Sequence, residues 1–178
     1  ELELAHGVPL DILPLDGCPE GKFAREVQLI WAKIYSLFCA QTIPENHGNL
    51  VKLLAKTAFC LVKGKRARYR IWKYAEKKMT KYDIDKSLYI TELCSGPKYM
   101  HNRFNSEWFG KGRLVTFEGY QMPVPLEAEK YVEAVFGDYR ILPPEEKRKP
   151  SHDYVYLDLN NPYTNYKGLY YCKEVKDA

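Results

Sequence analysis

The chain has 178 residues, the length of a single domain, and 46% of them are hydrophobic. Its mean hydropathy is −0.47, and no stretch approaches the roughly 18 consecutive apolar residues that a membrane-spanning helix needs. No signal peptide pattern is present either. These features argue against a membrane-spanning protein and favour a soluble one.

The net charge of +4 is unevenly distributed along the chain. Residues 63–81 contain nine basic residues against one acid, Glu76, so this segment carries +8 and the remainder −4. Its basic residues are Lys63, Lys65, Arg66, Arg68, Arg70, Lys73, Lys77, Lys78 and Lys81. Two interpretations stay open: a helix with a solvated basic face, or a surface that attracts anionic lipid or an anionic, lipid-linked glycan. Nucleic acid ranks last, because no nucleic-acid motif accompanies the charge.

The first predicted element is a strand that includes Val8, Leu10 and Ile12, which alternate with other residues. This alternation places Asp11 on the opposite face, where it can project into a cleft. The pair Asp16-Gly17 follows Pro14 and is typical of a turn.

Three helices are predicted next, over residues 20–40, 50–64 and 65–81, and together they form a helical layer. In the first, the apolar residues recur at intervals of three and four, which predicts one buried stripe. That stripe consists of Phe23, Val27, Ile30, Trp31, Ile34, Tyr35 and Phe38.

The second half of the chain is expected to alternate short strands with turns. We predict strands at residues 88–93, 113–117 and 154–157 from their β-branched and aromatic content. Asp83-Ile84-Asp85, the one literal D-x-D sequence, follows the basic helix directly, and we interpret it as a helix-terminus turn. The five cysteines form no C-x-x-C pair, which favours reduced, buried thiols over a zinc site or disulfides and so indicates a cytoplasmic setting.

Residues 117–153 combine a strand, a proline turn, an amphipathic helix and a basic tail. The strand from Phe117 is expected to end at the prolines 123 and 125, because proline lacks the backbone donor of a ladder. Apolar residues at 128, 131, 132, 135 and 136 predict a helix that Gly137 ends. The tail that follows, from Pro143 to His152, places cations and an imidazole together, as a phosphate site requires.

This block resembles the signature of the LicD family, the phosphocholine transferases whose relatives include fukutin-type phospho-alditol transferases. The matching positions are Phe117, Gly119, Pro123, Pro125, Tyr131, Phe136-Gly137-Asp138-Tyr139, Leu142 to Arg148 and His152. A second segment, Val8 to Gly17, is similar to the I-D-I-F-P-L-D-G sequence of that family. The two similar segments lie about a hundred residues apart and in the order of the family.

The resemblance implies an α+β fold, with a nucleotidyltransferase-like small mixed sheet and a helical layer. It also implies a Mg²⁺-dependent transferase that moves phosphocholine or a related phospho-alcohol from a CDP-linked donor, CDP-choline or a CDP-alditol, to a cell-surface glycan. We expect residues 1–178 to form one domain with a loose tail at residues 163–178. Peripheral contact with the inner membrane face is compatible with this activity, and nucleic acid is not an expected partner.

Several side chains receive roles from this resemblance. Asp11 would be the third carboxylate of the metal site, although a strand-end aspartate that caps the turn at Pro14 is the alternative. Glu118 would act as a base toward an acceptor hydroxyl. Lys147, Arg148 and His152 would contact the donor diphosphate or the acceptor, or else form a solvated run balanced by acids.

Aromatic residues supply the remaining candidate contacts. Trp108 and Tyr120 could stack on a sugar or hold a choline ammonium by cation-π attraction, and Tyr139 is expected to serve in packing in preference to a sugar contact. The family also carries a D-D-D-x-D-I run of paired aspartates ahead of its I-D-I-F-P-L-D-G segment, and these 178 residues do not contain it. We therefore interpret the chain as the middle and C-terminal part of such a protein and expect it to be inactive alone. The rival hypothesis is a non-catalytic module that binds an anionic glycan or membrane surface through residues 63–81.

Overall fold

The computed structural model describes residues 10–40, 49–148 and 158–166, which adopt an α+β architecture. Within these ranges the helices are α1 (Lys22–Ala40), α2 (Asn49–Leu61), α3 (Lys65–Met79) and α4 (Ala128–Phe136). The strands are β1 (Leu15–Cys18), β2 (Tyr89–Glu92), β3 (Phe104–Asn105), β4 (Arg113–Phe117) and β5 (Tyr120–Val124). The predicted fold class is confirmed at this level, and the nucleotidyltransferase-like fold stays a prediction.

The chain divides into two compact units. Leu13–Tyr139 form one unit, which contains every helix and strand just named. The other consists of Glu1–Ile12 together with Arg140–Ala178. Its described part includes two short 3-10 turns, Glu145–Lys147 and Tyr163–Tyr166. The predicted strand at residues 154–157 and most of the predicted loose tail lie outside the described residues.

The larger sheet is antiparallel with the order β1-β2-β3. Leu15 lies opposite Glu92, Cys18 opposite Tyr89, and Ile90 opposite Phe104. The core lies between this sheet and the helices α1 and α3, and its buried members are Leu29, Ala32, Met79, Leu93 and Met100. Each of these side chains is at most 2% exposed, as expected for a packed interior.

The prediction of a strand at Leu10 and Ile12 is wrong. Residues 10–14 are irregular and exposed, and the strand begins only at Leu15, after Pro14. The pairing explains the shift, because the partner strand β2 ends at Glu92, opposite Leu15. Asp16 and Gly17 therefore lie within a strand, and the turn predicted for them is also wrong.

The second sheet is the β4-β5 hairpin, in which Phe117 pairs with Tyr120. The two residues between them, Glu118 and Gly119, have φ values of 50° and 83°. Two consecutive positive φ angles are the feature of a type I′ turn, which matches the twist of the flanking strands. Pro123 lies inside β5, opposite Leu114, and the strand ends at Val124, so the expected strand end is wrong for Pro123 and confirmed for Pro125. A two-stranded hairpin has open edges, which tolerate a residue without a backbone donor.

Other local predictions are confirmed. Strand β4 has the predicted bounds, α4 ends at Gly137, where φ is 76°, and Asp83 caps a short 3-10 turn at Ile84–Lys86. The expectation of buried cysteines holds for Cys18 alone, since Cys94 is half-buried and Cys39 and Cys60 are exposed. All four are free thiols, and Cys172 lies outside the described residues.

Candidate functional site

The predicted site residues are distributed over both units. Asp11, Lys147 and Arg148 belong to the unit formed by Glu1–Ile12 and Arg140–Ala178. Trp108, Glu118, Tyr120 and Tyr139 belong to the unit Leu13–Tyr139. His152 lies outside the described residues.

Asp11 is exposed in the irregular segment before Pro14, and no strand orients its carboxylate. Arg148 follows the 3-10 turn Glu145–Lys147, where its Nε donates a hydrogen bond of 2.7 Å to Pro143 O. Lys147 is exposed on the same turn. No hydrogen bond or ion pair between described residues joins Asp11 to either cation.

The aromatic candidates occupy different local settings. Trp108 ends a 3-10 turn and is half-buried, and its carbonyl accepts a hydrogen bond of 2.9 Å from Glu127 N. Tyr120 is 74% exposed at the first position of β5. Glu118 is exposed at the tip of the hairpin turn. The sequence prediction thus identified exposed or half-buried side chains, but the described contacts do not join these three into one cluster.

One motif position has a structural explanation. Tyr131 of α4 packs between Phe104 and Phe109, with ring centroids 5.0 Å and 5.5 Å apart. Arg113 of β4 also reaches α4, because its Nη2 lies 2.5 Å from Glu129 Oε1 and its Nε donates to Leu126 O at 3.2 Å. These contacts fix α4 against the hairpin and against β3.

A buried polar network, which the sequence did not indicate, joins α1 to the sheet. Arg25 is 5% exposed and donates to Gln28 Oε1 at 2.7 Å, to Thr91 Oγ1 at 2.9 Å and to Met100 O. Gln28 in turn donates to Gly17 O at 2.8 Å and to Met79 O at 2.9 Å. Desolvation of the guanidinium lowers the pKa of Arg25. A polar pair at helical spacing, beside the predicted apolar stripe, was the available signal.

Two carboxylates lie near the β1-β2 ladder. Glu92, 7% exposed, accepts hydrogen bonds at Oε1 from Cys94 N and from Ser95 N, the latter at 2.7 Å. Burial and then the nearby charge of Glu92 raise the pKa of Asp16. Burial likewise raises the pKa of Cys94 to about 11, with Glu92 as the next contributor.

The exposed face of α3 carries a stripe of cations. Arg66, Arg70, Lys73 and Lys77 recur at intervals of four and three, which places them on one side of the helix. Lys73 forms a 2.7 Å ion pair with Glu76. The other three are exposed and form no salt bridge with the described residues. We call these four residues the cationic stripe.

The cationic stripe borders two concave surfaces. A shallow depression of about 350 Å³ is lined by Lys65, Arg66, Tyr69 and Arg70. A larger, open groove of about 590 Å³ runs between α1, α2 and α3, and we call it the helical groove. Its lining includes Trp31, Ile34, Ala58, Leu61, Arg70 and Ile71. Arg70 therefore belongs both to the groove and to the cationic stripe.

The apolar stripe predicted for α1 is buried only in part: Phe38 is 6% exposed, and Trp31 and Tyr35 pack against the core. The buried residues of this helix include Arg25, Gln28, Leu29 and Ala32. Phe23 is 84% exposed and Ile30 is 54% exposed. Trp31 and Ile34, also predicted to be in the core, line the helical groove. The prediction is thus confirmed at Phe38, Trp31 and Tyr35, which are buried or pack against the core, and is wrong at Phe23 and Ile30.

No described helix is both long and apolar enough to cross a membrane. Within the described ranges, no three His, Cys, Asp or Glu side chains are grouped so that they could hold a metal ion. Comparison of the chain with models of protein families, with curated proteins and with solved structures finds no significant match.

Proposed function

We propose that the chain is part of a LicD-like phosphotransferase that moves phosphocholine or a related phospho-alcohol from a CDP-linked donor to a cell-surface glycan. The observation that carries this proposal is the ordered set of motif positions from Phe117 to Arg148. In these positions a type I′ hairpin leads through Pro125 into α4, Gly137 ends that helix, and the 3-10 turn Glu145–Lys147 follows with Arg148 directly after it.

Arg148 is the residue that we assign to the donor diphosphate. Its hydrogen bond to Pro143 O restrains the side chain at Nε. Its two terminal nitrogens form no hydrogen bond with the described residues, which leaves a planar pair of donors for phosphate oxygens. Lys147 adds a second positive charge on the same turn.

Four further side chains are proposed to contact the acceptor or the donor head group: Glu118, Trp108, Tyr120 and Tyr139. The exposed carboxylate of Glu118 could take a proton from an acceptor hydroxyl. The exposed ring of Tyr120 offers a face on which a sugar or a choline ammonium can stack.

The described residues alone do not form a site for the magnesium ion that the resemblance to the LicD family implies. Asp11 is one exposed carboxylate, and Mg²⁺ requires near-octahedral coordination, usually by more than one acid together with substrate phosphates. Metal ligation by Asp11 therefore stays a prediction.

Calorimetric titration of the 178-residue chain with CDP-choline, with and without MgCl₂, tests the assignment of Arg148. We expect Arg148→Ala to weaken binding by about tenfold, the loss of one charge-assisted contact. Arg66→Ala, on an exposed arginine of α3, is the matched control and should leave binding unchanged. Equal losses in the two variants would show attraction by general positive charge and would contradict the assignment.

Turnover is tested on the natural protein that contains these residues. We expect Mg²⁺-dependent consumption of CDP-choline or a CDP-alditol, and a loss of turnover in Asp11→Ala. If Asp11→Ala retains full turnover, the metal role of Asp11 is wrong. If neither donor is consumed, the transferase proposal itself is wrong.

The cationic stripe favours a second candidate function, binding of an anionic glycan or membrane surface without catalysis. Arg66, Arg70 and Lys77 are exposed, and each contributes about 1 kcal/mol near an anionic membrane. Association of the chain with vesicles that contain phosphatidylglycerol, and its reversal by salt, tests this function.

A further inference from the structure

The helical groove combines an apolar lining with a positively charged residue. Its lining is almost entirely apolar, with Trp31, Ile34 and Ala58 among its members. One member of the cationic stripe, Arg70, also lines the groove, and the other three lie on the same side of α3. A ligand that satisfies both surfaces must have an apolar body and a negatively charged end.

Helix α2 extends the apolar surface beyond the groove. Leu53 and Leu54 are each 61% exposed, and Leu61, at the end of the helix, is 79% exposed. Leu61 also lines the groove. Exposed leucines beside a concave apolar surface are typical of a binding site for an apolar partner.

Aromatic residues mark the boundary between the apolar and the charged surfaces. Tyr74 lines the groove and is 50% exposed, and its ring lies 5.3 Å from that of Trp31. Tyr69, 59% exposed, lines the neighbouring cationic depression. Tyrosine and tryptophan prefer the headgroup level of a membrane, because each has an apolar ring and a polar atom.

We infer that the helical groove holds one acyl chain of an anionic phospholipid, while Arg70 and the rest of the cationic stripe contact the phosphate headgroups around it. The inference deepens the second candidate function and rests on it, since it requires binding to an anionic membrane. According to the inference, the protein does more than adsorb to the membrane by charge, because its groove also binds a hydrocarbon chain from the bilayer surface.

Charge complementarity decides between this ligand and two others. A nucleic acid backbone would contact the cationic stripe but would leave the apolar groove open to water. A neutral lipid would fill the groove but would gain nothing from Arg66, Arg70 and Lys77. An anionic phospholipid uses both surfaces at once.

Trp31 provides a direct probe of the groove. In the variant Trp72→Phe/Trp108→Phe, Trp31 is the only tryptophan of the chain. Thermal denaturation followed by circular dichroism establishes that this variant is folded. Its fluorescence is then measured with phosphatidylcholine vesicles, with and without phosphatidylglycerol that carries bromine atoms on its acyl chains. We expect the brominated chains to quench Trp31 and unbrominated phosphatidylglycerol to leave it unquenched.

Two substitutions separate the charged surface from the apolar one. Arg70→Glu changes the charge by two units and should weaken vesicle binding about 30-fold, at about fivefold per charge. Lys111→Glu, at an exposed position in the turn before β4, is the matched control and should have a much smaller effect. Leu61→Gln should reduce the quenching of Trp31 while the vesicle affinity changes little. Leu114→Gln, at a leucine that is 65% exposed in β4, is its control.

Three outcomes would overturn the inference. Binding to phosphatidylglycerol without quenching of Trp31 would exclude the acyl chain from the groove, although the second candidate function would stand. Equal quenching by brominated phosphatidylcholine would exclude the role of the cationic stripe. A failure to bind phosphatidylglycerol vesicles would contradict both the inference and the second candidate function, and the transferase proposal would be unaffected.

Discussion

Arg25 Nη2 donates a hydrogen bond of 2.9 Å to Thr91 Oγ1 and so joins α1 to β2 across 66 positions of the sequence. The same guanidinium donates to Gln28 Oε1 and to Met100 O. Its partners are neutral oxygens, so the buried charge is stabilised by several hydrogen bonds instead of a carboxylate among the described residues. We conclude that Arg25 is a structural residue.

Replacement of Arg25 by alanine should lower the free energy of unfolding by about 3 kcal/mol. The substitution removes the donor to Gln28 Oε1 and to Thr91 Oγ1 and leaves Met100 O with only the 3.5 Å bond from Thr91 Oγ1, and each unsatisfied buried group costs about 1–3 kcal/mol before relaxation. Urea denaturation measures the change. Arg66→Ala, at an exposed arginine, should alter the value by no more than about 0.5 kcal/mol. Similar values for the two variants would contradict the role of the network.

Gly17→Ala should also destabilise the protein, by about 1–3 kcal/mol. A Cβ atom at Gly17 would lie 2.6 Å from Tyr82 O and 2.8 Å from Asp83 O, and backbone atoms cannot rotate away. Gly21→Ala is the control, because nothing lies within 4 Å of a Cβ atom there. The Gly21→Ala variant should lose no more than about 1 kcal/mol of its free energy of unfolding, the cost of alanine at a helix N-cap. A Gly17→Ala variant as stable as Gly21→Ala would show that β1 lies farther from residues 82 and 83.

Asp16→Asn should make the protein more stable at pH 7 and should have little effect near pH 3. Burial and Glu92 raise the pKa of Asp16 in the folded state above its ordinary value of 3.8. The folded state therefore binds the proton more tightly, and stability falls as the pH rises from about 3.8 through the raised pKa. Replacement by asparagine removes this loss of stability. Urea denaturation at several pH values measures the free energy of unfolding of both proteins.

Asp83→Asn provides a control of opposite sign for that experiment. The backbone N–H of Asp85 and the side chain of Lys86 lower the pKa of Asp83, so its contribution is present above the ordinary pKa and is lost as the pH falls. Its replacement should not raise stability at pH 7. If Asp16→Asn gave the same difference from the wild type at every pH, the raised pKa of Asp16 would be wrong.

Cys94 should resist alkylation in the native protein. With a pKa of about 11, only about one thiol in a thousand is ionised at pH 8, and the thiolate is the reactive form. Cys39 and Cys60 are exposed, so they should react with iodoacetamide first. Peptide mass spectrometry identifies each site, and unfolding in urea should expose Cys94 to the reagent. Equal rates for Cys94 and Cys39 in the folded protein would contradict this prediction.

Glu118→Asn should raise the free energy of unfolding by about 0.5–1 kcal/mol. Glu118 has a φ of 50°, a left-handed conformation that asparagine adopts more readily, and Asn-Gly is a preferred type I′ pair. The same variant tests the role of Glu118 as a base. If the variant is more stable but loses turnover, the loss comes from removal of the carboxylate and not from damage to the turn. A less stable variant would show that the turn is not of type I′.

Local signals predicted much of the fold. The bounds of β4, the end of α4 at Gly137 and the cap at Asp83 each depend on residues that are adjacent in sequence, so the pattern contains the necessary information. The start of β1 depends instead on where β2 ends, opposite Leu15. Such a long-range pairing leaves no periodicity in the sequence.

The buried face of α1 shows a second limit. Hydrophobicity placed Phe23 and Ile30 in the core, whereas the fold buries Arg25 and Gln28 and leaves the two apolar residues exposed. The burial of these polar side chains is possible because β1, β2 and α3 each supply an acceptor for their N–H groups. A single-helix pattern cannot contain that information. The prediction of the candidate site had the same limit, since the motif identified single residues but not the distances between their side chains.

Gln28 has a further consequence for the motions of the molecule. Its amide nitrogen bonds both Gly17 O of β1 and Met79 O at the end of α3, so neither backbone can separate from α1 without breaking a buried contact. The edge strand and the last turn of the helix should consequently open as one cooperative unit, with amide protons that exchange at a common rate.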